Sequence, residues 1–509
     1  MSRDLVEGPG GEGRPLLASH HGSADPRYDE YRDEAPDDLE ELQRTKAVER
    51  RLLWKLDLRM SVLLLIYILN YIDRDSAGAA RLRGFEEDLK LDKTQFASIL
   101  SVFYFGYMLM QIPSNMILVY IGRPSVYLPC CTMLWGIVSF YTGLATSYHG
   151  ALLARFLLGF VEAGFYPGAL FLISRWYRRS EISQRTAYLM CGIFIGEAFG
   201  ALIASGILNL MNGVLGYAAW RWLFFVEGGL TILVATFALF IIPDFPEAKS
   251  VSWLTPEEYQ LARRRMVEDS DSSGDSLIST KASTTTFNGF ISAVSDWKVW
   301  GMAIALYFIT LSASFHMYFP TLAATIGFDA GTTMLLCAPP WIYAGAVTLW
   351  VSRHSDRTGE RCMHIVLPLV VGIIGFLLAM STMNAIVRYF SLFLMTQTKT
   401  GLIGLFAWSA AATSGPVAKR AVAIALVNTL GHCSNIVGAF LWVKEWGPSY
   451  NKSFAICTAT SLISIAICLF MRMNFRRLNK EMDMDDGLRG QSNSDSEGQA
   501  VKSSWRYHT

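Results

Sequence analysis

The strongest constraint on this 509-residue chain is a series of twelve apolar stretches. Each is close to the roughly 20 residues a helix needs to cross a bilayer. The first six fall near 60–80, 94–118, 125–146, 150–173, 185–209 and 222–242. The last six fall near 298–320, 332–351, 363–382, 387–409, 420–443 and 452–472. In hydrocarbon a lone segment must pair its own backbone polar groups, so stretches of this length read as helices. Charged residues make up 17% of the chain, below the roughly 25% of soluble domains, which supports the same reading. The expected fold is all-α, a membrane protein of twelve transmembrane helices in two six-helix halves, 59–243 and 298–473.

The segments around the halves differ in composition. Residues 1–58 begin as a Gly/Pro-rich acidic tail, read as disordered, and end in a basic amphipathic lead-in from Glu49 to Arg59. Within that tail, Glu12-Gly13-Arg14-Pro15-Leu16-Leu17 fits an acidic dileucine sorting signal, a short pattern that also arises by chance. Residues 244–297 form a linker with an Arg263-Arg264-Arg265 run, a Ser/Thr-rich stretch at 270–286 and an expected short helix near 255–267. The polar tail 474–509 reads as disordered. Basic residues gather before span 1, at Arg175–Arg185, in the linker, at Arg353–Arg361, at Lys419-Arg420 and at Arg472–Lys480. All of these lie on one side by parity, so both termini are expected in the cytosol.

Other classes are disfavoured. A net charge of +1 gives no case for nucleic acid. The eight cysteines lie in or beside apolar segments at no metal-ligand spacing and read as small apolar fillers. No cofactor motif, metal set or nucleophile–base arrangement is visible, so an enzyme is not expected. The G-x-x-x-x-G-K-[ST] phosphate loop is missing, which leaves an ion gradient or the substrate's own gradient as the driving force. Two six-span halves joined by a long linker point to a transporter with its site near the midplane between them.

Span 4, ALLARFLLGFVEAGFYPG, carries Arg155 and Glu162 inside an apolar run. A charge within a bilayer costs a few kcal/mol or more, so such residues face a cavity or a partner. Seven residues are two helical turns, about 10.5 Å along one face, so the cation and the acid look into the same space. The plainer reading is that Arg155 snorkels from a helix end while Glu162 pairs across the bundle. Span 1 reads LIYILNYIDRDSAGAA; it is too short to cross unless Asn70, Tyr71, Asp73 and Arg74 lie within its outer part, the alternative being a tilted span with these residues in the headgroup region. Spans 1 and 4 together then supply two arginines suited to a carboxylate and two acids able to carry protons.

Span 11 places Asn428, His432 and Asn435 on one polar face, either lining the cavity or bonding between helices. His316 in span 7 reads as structural, and Glu197 in span 5 either titrates or pairs locally. Between spans 8 and 9, Asp356, Arg357 and Arg361 can bond helix ends as a cytosolic gate, or simply mark a basic cytosolic loop.

Over about 49–475 the chain resembles the major facilitator superfamily. More narrowly it resembles the anion:cation symporters, in the fungal branch around allantoate and nicotinate permeases. The resemblance is carried by Asn70-Tyr71-Ile72-Asp73-Arg74, Gln111-Ile112-Pro113-Ser114-Asn115, Arg155-Phe156-Leu157-Leu158-Gly159, Glu162-Ala163-Gly164-Phe165-Tyr166-Pro167-Gly168 and Trp220-Arg221-Trp222-Leu223-Phe224. In the second half Tyr318-Phe319-Pro320-Thr321, Ala338-Pro339-Pro340, Ser355-Asp356-Arg357 and Lys419-Arg420-Ala421 continue it. It implies alternating access, with Asp73 and Glu162 handling protons and Arg74 and Arg155 handling substrate. The chain departs from the pattern at Ala410-Ala411-Ala412-Thr413-Ser414-Gly415, where the family often has an Asn pair before the Gly.

These readings converge on a proton-coupled symporter for a small organic anion, such as a vitamin or nitrogen-source carboxylate. Asn70, Tyr71, Arg74, Arg155, Asn428, His432 and Asn435 would line its site. Its expected partners are that anion, protons and the lipid bilayer, and it is expected to be a monomer. The plasma membrane is its expected location, with the vacuolar membrane as the alternative. A drug:proton antiporter of the same fold and a nutrient sensor that binds without transporting are the rival functions. Span 5 lacks the G-x-x-x-G-P-x-x-G-G pattern of the antiporters.

Overall fold

The structure is a computed structural model that describes residues 34–92, 94–245, 253–271, 290–412 and 417–493. The dileucine match, most of the Ser/Thr-rich stretch, Thr413–Gly415 and the end of the C-terminal tail lie outside them. Every regular element among the described residues is helical.

Two units are distinguished, one ending at Trp54 and one beginning at Lys55. In the first, residues 34–54 form the opening turns of the helix Glu34–Ala80. Helix therefore begins inside a stretch whose sequence predicts disorder. The run Leu39–Lys55 is rich in Leu, Glu, Gln, Arg and Lys, which lose little side-chain freedom in a helix, and this propensity outweighs the polar composition.

The second unit holds the twelve spans. Span 1 is the latter part of Glu34–Ala80, span 2 is Gln95–Ile121 and span 3 is Pro124–Thr142. Span 4 is a pair of helices, Tyr148–Glu162 and Phe165–Trp176. Spans 5 and 6 are Arg179–Leu210 and Ala219–Ile241. After the linker helix Pro256–Asp271, span 7 runs from Trp297–Ser312 through a tighter 3-10 turn, Ala313–Tyr318, into Phe319–Ala324. Spans 8 and 9 are Ala330–Thr358 and Cys362–Ser381. Span 10 is interrupted at Thr396 between Ala385–Met395 and Gln397–Ala412. Spans 11 and 12 are Val417–Ala439 and Asn451–Asn493. Span 12 stays helical beyond 473, where the sequence predicts disorder; there Arg477 and Glu481, one turn apart, pair at 3.0 Å.

Polar caps start several spans. Ser147 Oγ accepts the Gly150 N–H ahead of span 4. Asp329 accepts two N–H groups ahead of span 8, and Asn384 two ahead of span 10. The first half packs span 2 on span 4 and span 3 on span 6. Glycine permits the first of these approaches, because a Cβ on Gly159 would collide with the Phe103 carbonyl. In the second half, Leu306, Ile309, Leu369, Leu405 and Trp408 share one buried cluster from spans 7, 9 and 10. Span 5 packs on span 8, and span 2 on span 11, which joins the halves. At one end of the bundle Ser205 Oγ donates to the Gly331 carbonyl at 2.7 Å, and Lys444 pairs with Glu86 at 3.4 Å.

Candidate functional site

Charge is buried in the middle of this bundle. Glu162 is the central residue of Tyr148–Trp176, and Glu197 is the central residue of Gln184–Leu210. Lys399 lies near the middle of the interrupted span 10. The three consecutive charges Asp73, Arg74 and Asp75 of span 1 step about 100° apart around their helix, so each meets a different neighbour.

Arg74 turns toward span 4. Its guanidinium pairs with the Glu162 carboxylate, Nε donating at 3.1 Å and Nη2 contacting the same oxygen. The same Nη2 donates to Asn70 Oδ1 at 3.3 Å. Aromatic rings surround this cation: Tyr71, Phe103 and Tyr107 lie 4.9, 5.1 and 5.5 Å from the guanidinium carbon. The second Glu162 oxygen has no hydrogen-bond partner among the described residues.

Asp73 turns the other way, into the interface of spans 3 and 6. Its carboxylate accepts from Trp135 Nε1 and Ser139 Oγ at 3.0 Å and from Thr231 Oγ1 at 3.1 Å. Arg155 is buried behind span 1. Its Nη1 donates to the main-chain carbonyls of Asp73 and Arg74 at 3.3 and 3.2 Å. Its Nε and Nη2 have no hydrogen-bond partner among the described residues, and the guanidinium carbon lies 5.6 Å from the Phe224 ring. The spacing in span 4 puts Arg155 and Glu162 on one face, yet the base that meets Glu162 is Arg74.

Asp75 turns toward span 5 and lines one cavity with Glu197, Glu227 and His316. The close approach of spans 1 and 5 rests on Gly196, where a Cβ would sit 2.9 Å from the Ile68 carbonyl. Lys399, from the opposite half, reaches toward this cavity with its ammonium 3.8 Å from Glu197 Oε1 and 5.9 Å from the Trp341 ring. Glu227 is held by the Ser76 hydroxyl. His316 Nδ1 donates to the Ala313 carbonyl at 2.8 Å, which leaves Nε2 on the far edge of the ring.

Of the span 11 face, His432 lies against two rings of span 2, stacked on Tyr104 at 6.3 Å and tilted to Tyr107 at 4.9 Å between ring centres. It thus meets the aromatic wall around Arg74. Asn435 is buried, its Oδ1 unpartnered among the described residues, and Asn428 is half-buried on the same helix. The loop after span 8 lies apart from this centre. At its edges, Asp356 and Arg357, expected in the loop, lie in the last turn of span 8; Asp356 pairs at 2.7 Å with Arg361, the N-cap residue of span 9, and Arg357 is exposed.

Asp75, Glu227 and Lys399 were not singled out in the sequence. Glu227 carried the signal that marked Arg155, a single charge inside an apolar run, whereas Lys399 sits among the polar residues Gln397, Thr398 and Thr400.

Comparison with known proteins fits this architecture. The Major Facilitator Superfamily profile matches residues 63–439. The MFS-type transporter cnsO of Penicillium expansum is 33% identical over 83% of this chain and 82% of its own length. A protein of Agrobacterium vitis, for which its name proposes tartrate transport, is 29% identical over 84% of this chain and 92% of its own. A solved bacterial homologue of the human lysosomal transporter Spinster, inward-facing and unoccupied, superposes with a TM-score of 0.64. It is 18% identical, covering 83% of this chain and 98% of that one, and so bears on the fold alone. With a matched profile over most of its length and spans of the expected number, this chain belongs to the Major Facilitator Superfamily and is a multi-pass membrane transporter.

Proposed function

We propose that the chain is a proton-coupled symporter of a small organic anion, working by alternating access. The observation that carries this reading is the Arg74–Glu162 pair inside a wall of Tyr71, Phe103, Tyr107 and His432. An arginine fork in an aromatic pocket fits a planar carboxylate. Its resting counter-charge is a carboxylate too. When Glu162 takes a proton, Arg74 loses that partner and is free to hold the anion, so proton and anion enter together. Asp73 is the second candidate for a proton, but its oxygens already accept three protein donors. Arg155 acts on the same place through span 1, whose main chain it holds beside Arg74.

The substrate class is a carboxylate such as a vitamin or nitrogen source, and the tartrate named for the Agrobacterium vitis relative falls in the wider class. In this reading both termini lie in the cytosol, which the loop charges support, and the protein works as a monomer in the plasma membrane. The loop of Asp356, Arg357 and Arg361 serves as the cytosolic gate. The test is uptake of labelled carboxylates into proteoliposomes with and without an imposed pH gradient. Accumulation above equilibrium only with acid outside supports symport, and Arg74→Lys should weaken anion binding by roughly 1–3 kcal/mol. Uptake indifferent to the gradient, or binding without uptake, would overturn it.

A further inference from the structure

The Arg74–Glu162 pair has a counterpart across the bundle. Lys399 and Glu197 are both buried, come from opposite halves, and face each other at 3.8 Å, too long for a hydrogen bond. Glu197 Oε1 has no hydrogen-bond partner among the described residues, and neither has Asp75 Oδ2 in the same cavity. A buried ammonium has three donors to satisfy, and a carboxylate at ion-pair range without a hydrogen bond satisfies none of them. The arrangement resembles that of Arg74: a largely enclosed base held by an acid that a proton can neutralise.

We propose that Lys399 receives a second acidic group of the substrate, so that the preferred cargo is a dicarboxylate spanning Arg74 and Lys399. This rests on the symport reading above and deepens it. Lys399 is released when a proton from the aqueous side adds to the Asp75–Glu197 carboxyl pair, breaking the ionic contact with Glu197. The groups facing Glu197 are Tyr71, Arg74 and Asp75 of span 1, His316 of span 7, Cys337 of span 8 and Lys399 of span 10. Asp75 and Glu197 are the carboxyls among them, Glu227 of span 6 is a third in the same cavity and is held by the Ser76 hydroxyl, and neighbouring carboxyls in one cavity do not all ionise readily. Two protons and two negative charges then cross together, and the loaded cavity keeps the charge of the empty one.

The experiment measures binding to the purified full-length chain in detergent. Probes are L-tartrate, L-malate and succinate, each beside its monomethyl ester. The wild type should bind at least one diacid at least ten times more tightly than its monoester. Lys399→Gln should bring the two within threefold, and Lys399→Arg should restore most of the preference. Calorimetry in two buffers of different ionisation enthalpy should count two protons taken up per bound diacid in the wild type and one in Glu197→Gln. A wild type that binds the monoester as tightly, a preference that survives Lys399→Gln, or two protons in Glu197→Gln would each overturn the proposal. If neither diacids nor monoesters bind, the organic-anion reading itself fails, and this proposal with it.

Discussion

Glu162 and Arg74 lie 88 residues apart in sequence and meet as an ion pair between spans 4 and 1. Glu162 is buried and Arg74 half-buried, and rings of Tyr71 and Phe103 flank the guanidinium. Replacing Glu162 with Gln keeps the shape but removes the titratable charge. The variant should lose accumulation driven by a pH gradient while still exchanging bound substrate, since exchange needs no net proton release. Counterflow and gradient-driven uptake in one set of proteoliposomes separate the two. Full accumulation in Glu162→Gln would assign the proton to another acid, Asp73 first.

Arg155 makes a different kind of contact, from side chain to main chain. A lysine there cannot reproduce the geometry by which one guanidinium nitrogen reaches the carbonyls of both Asp73 and Arg74. Arg155→Lys should destabilise the protein by about 1–3 kcal/mol, the range for leaving buried polar groups unpaired. The melting temperature in detergent reads this. An unchanged value with weakened anion binding would mean that Arg155 touches the cargo directly.

The linker helix is tied to the base of span 1 through Glu258. Its carboxylate accepts from Lys55 Nζ at 2.8 and 2.9 Å and from the Thr255 N–H at 3.0 Å. Burial alone would raise its pKa, but the ammonium and the N–H outweigh that and hold it below the ordinary glutamate range. A carboxyl lowered in the folded state contributes stability above its unfolded pKa, about 4.3. That contribution is lost as pH falls through the folded value. The wild type should therefore melt higher than Glu258→Gln at pH 6, with the gap closing toward pH 3. A constant gap would show that the carboxylate charge is irrelevant to it.

Asp356, in the last turn of span 8, pairs with Arg361 at the start of span 9, and Asp356 is largely exposed. An exposed pair of this kind is worth about 0–1 kcal/mol, so Asp356→Asn should leave the melting temperature nearly unchanged. A gate role predicts slower turnover at unchanged substrate affinity. Wild-type turnover would reduce the loop to a marker of topology.

The sequence carried the twelve spans because each is a long apolar run, a signal that needs no tertiary information. It also carried the buried charges of spans 1 and 4, since a charge in such a run is conspicuous. Pairing was not legible. Whether Glu162 meets Arg155 or Arg74 depends on how span 1 is rotated against spans 4 and 5. That rotation is fixed by contacts such as Gly196 against the Ile68 carbonyl, which spacing within one span does not encode. Lys399 fell inside the expected span 10, but its polar neighbours Gln397, Thr398 and Thr400 make its charge less conspicuous than that of Arg155 or Glu162. The break at Thr396 adjoins these residues, and it lies near the middle of the span.

The central placement of Glu162 and Glu197 in their spans has an electrical consequence. Carrying one elementary charge across a whole membrane changes its energy by about 2.3 kcal/mol per 100 mV. A proton that stops halfway through the insulating layer feels about half of that, roughly 1.2 kcal/mol, or a sevenfold change in occupancy. Under the proposed proton coupling, transmembrane voltage would therefore act on the loading of these carboxyls as well as on the later movement of the halves. Hyperpolarisation would act on this transporter like a local drop in external pH.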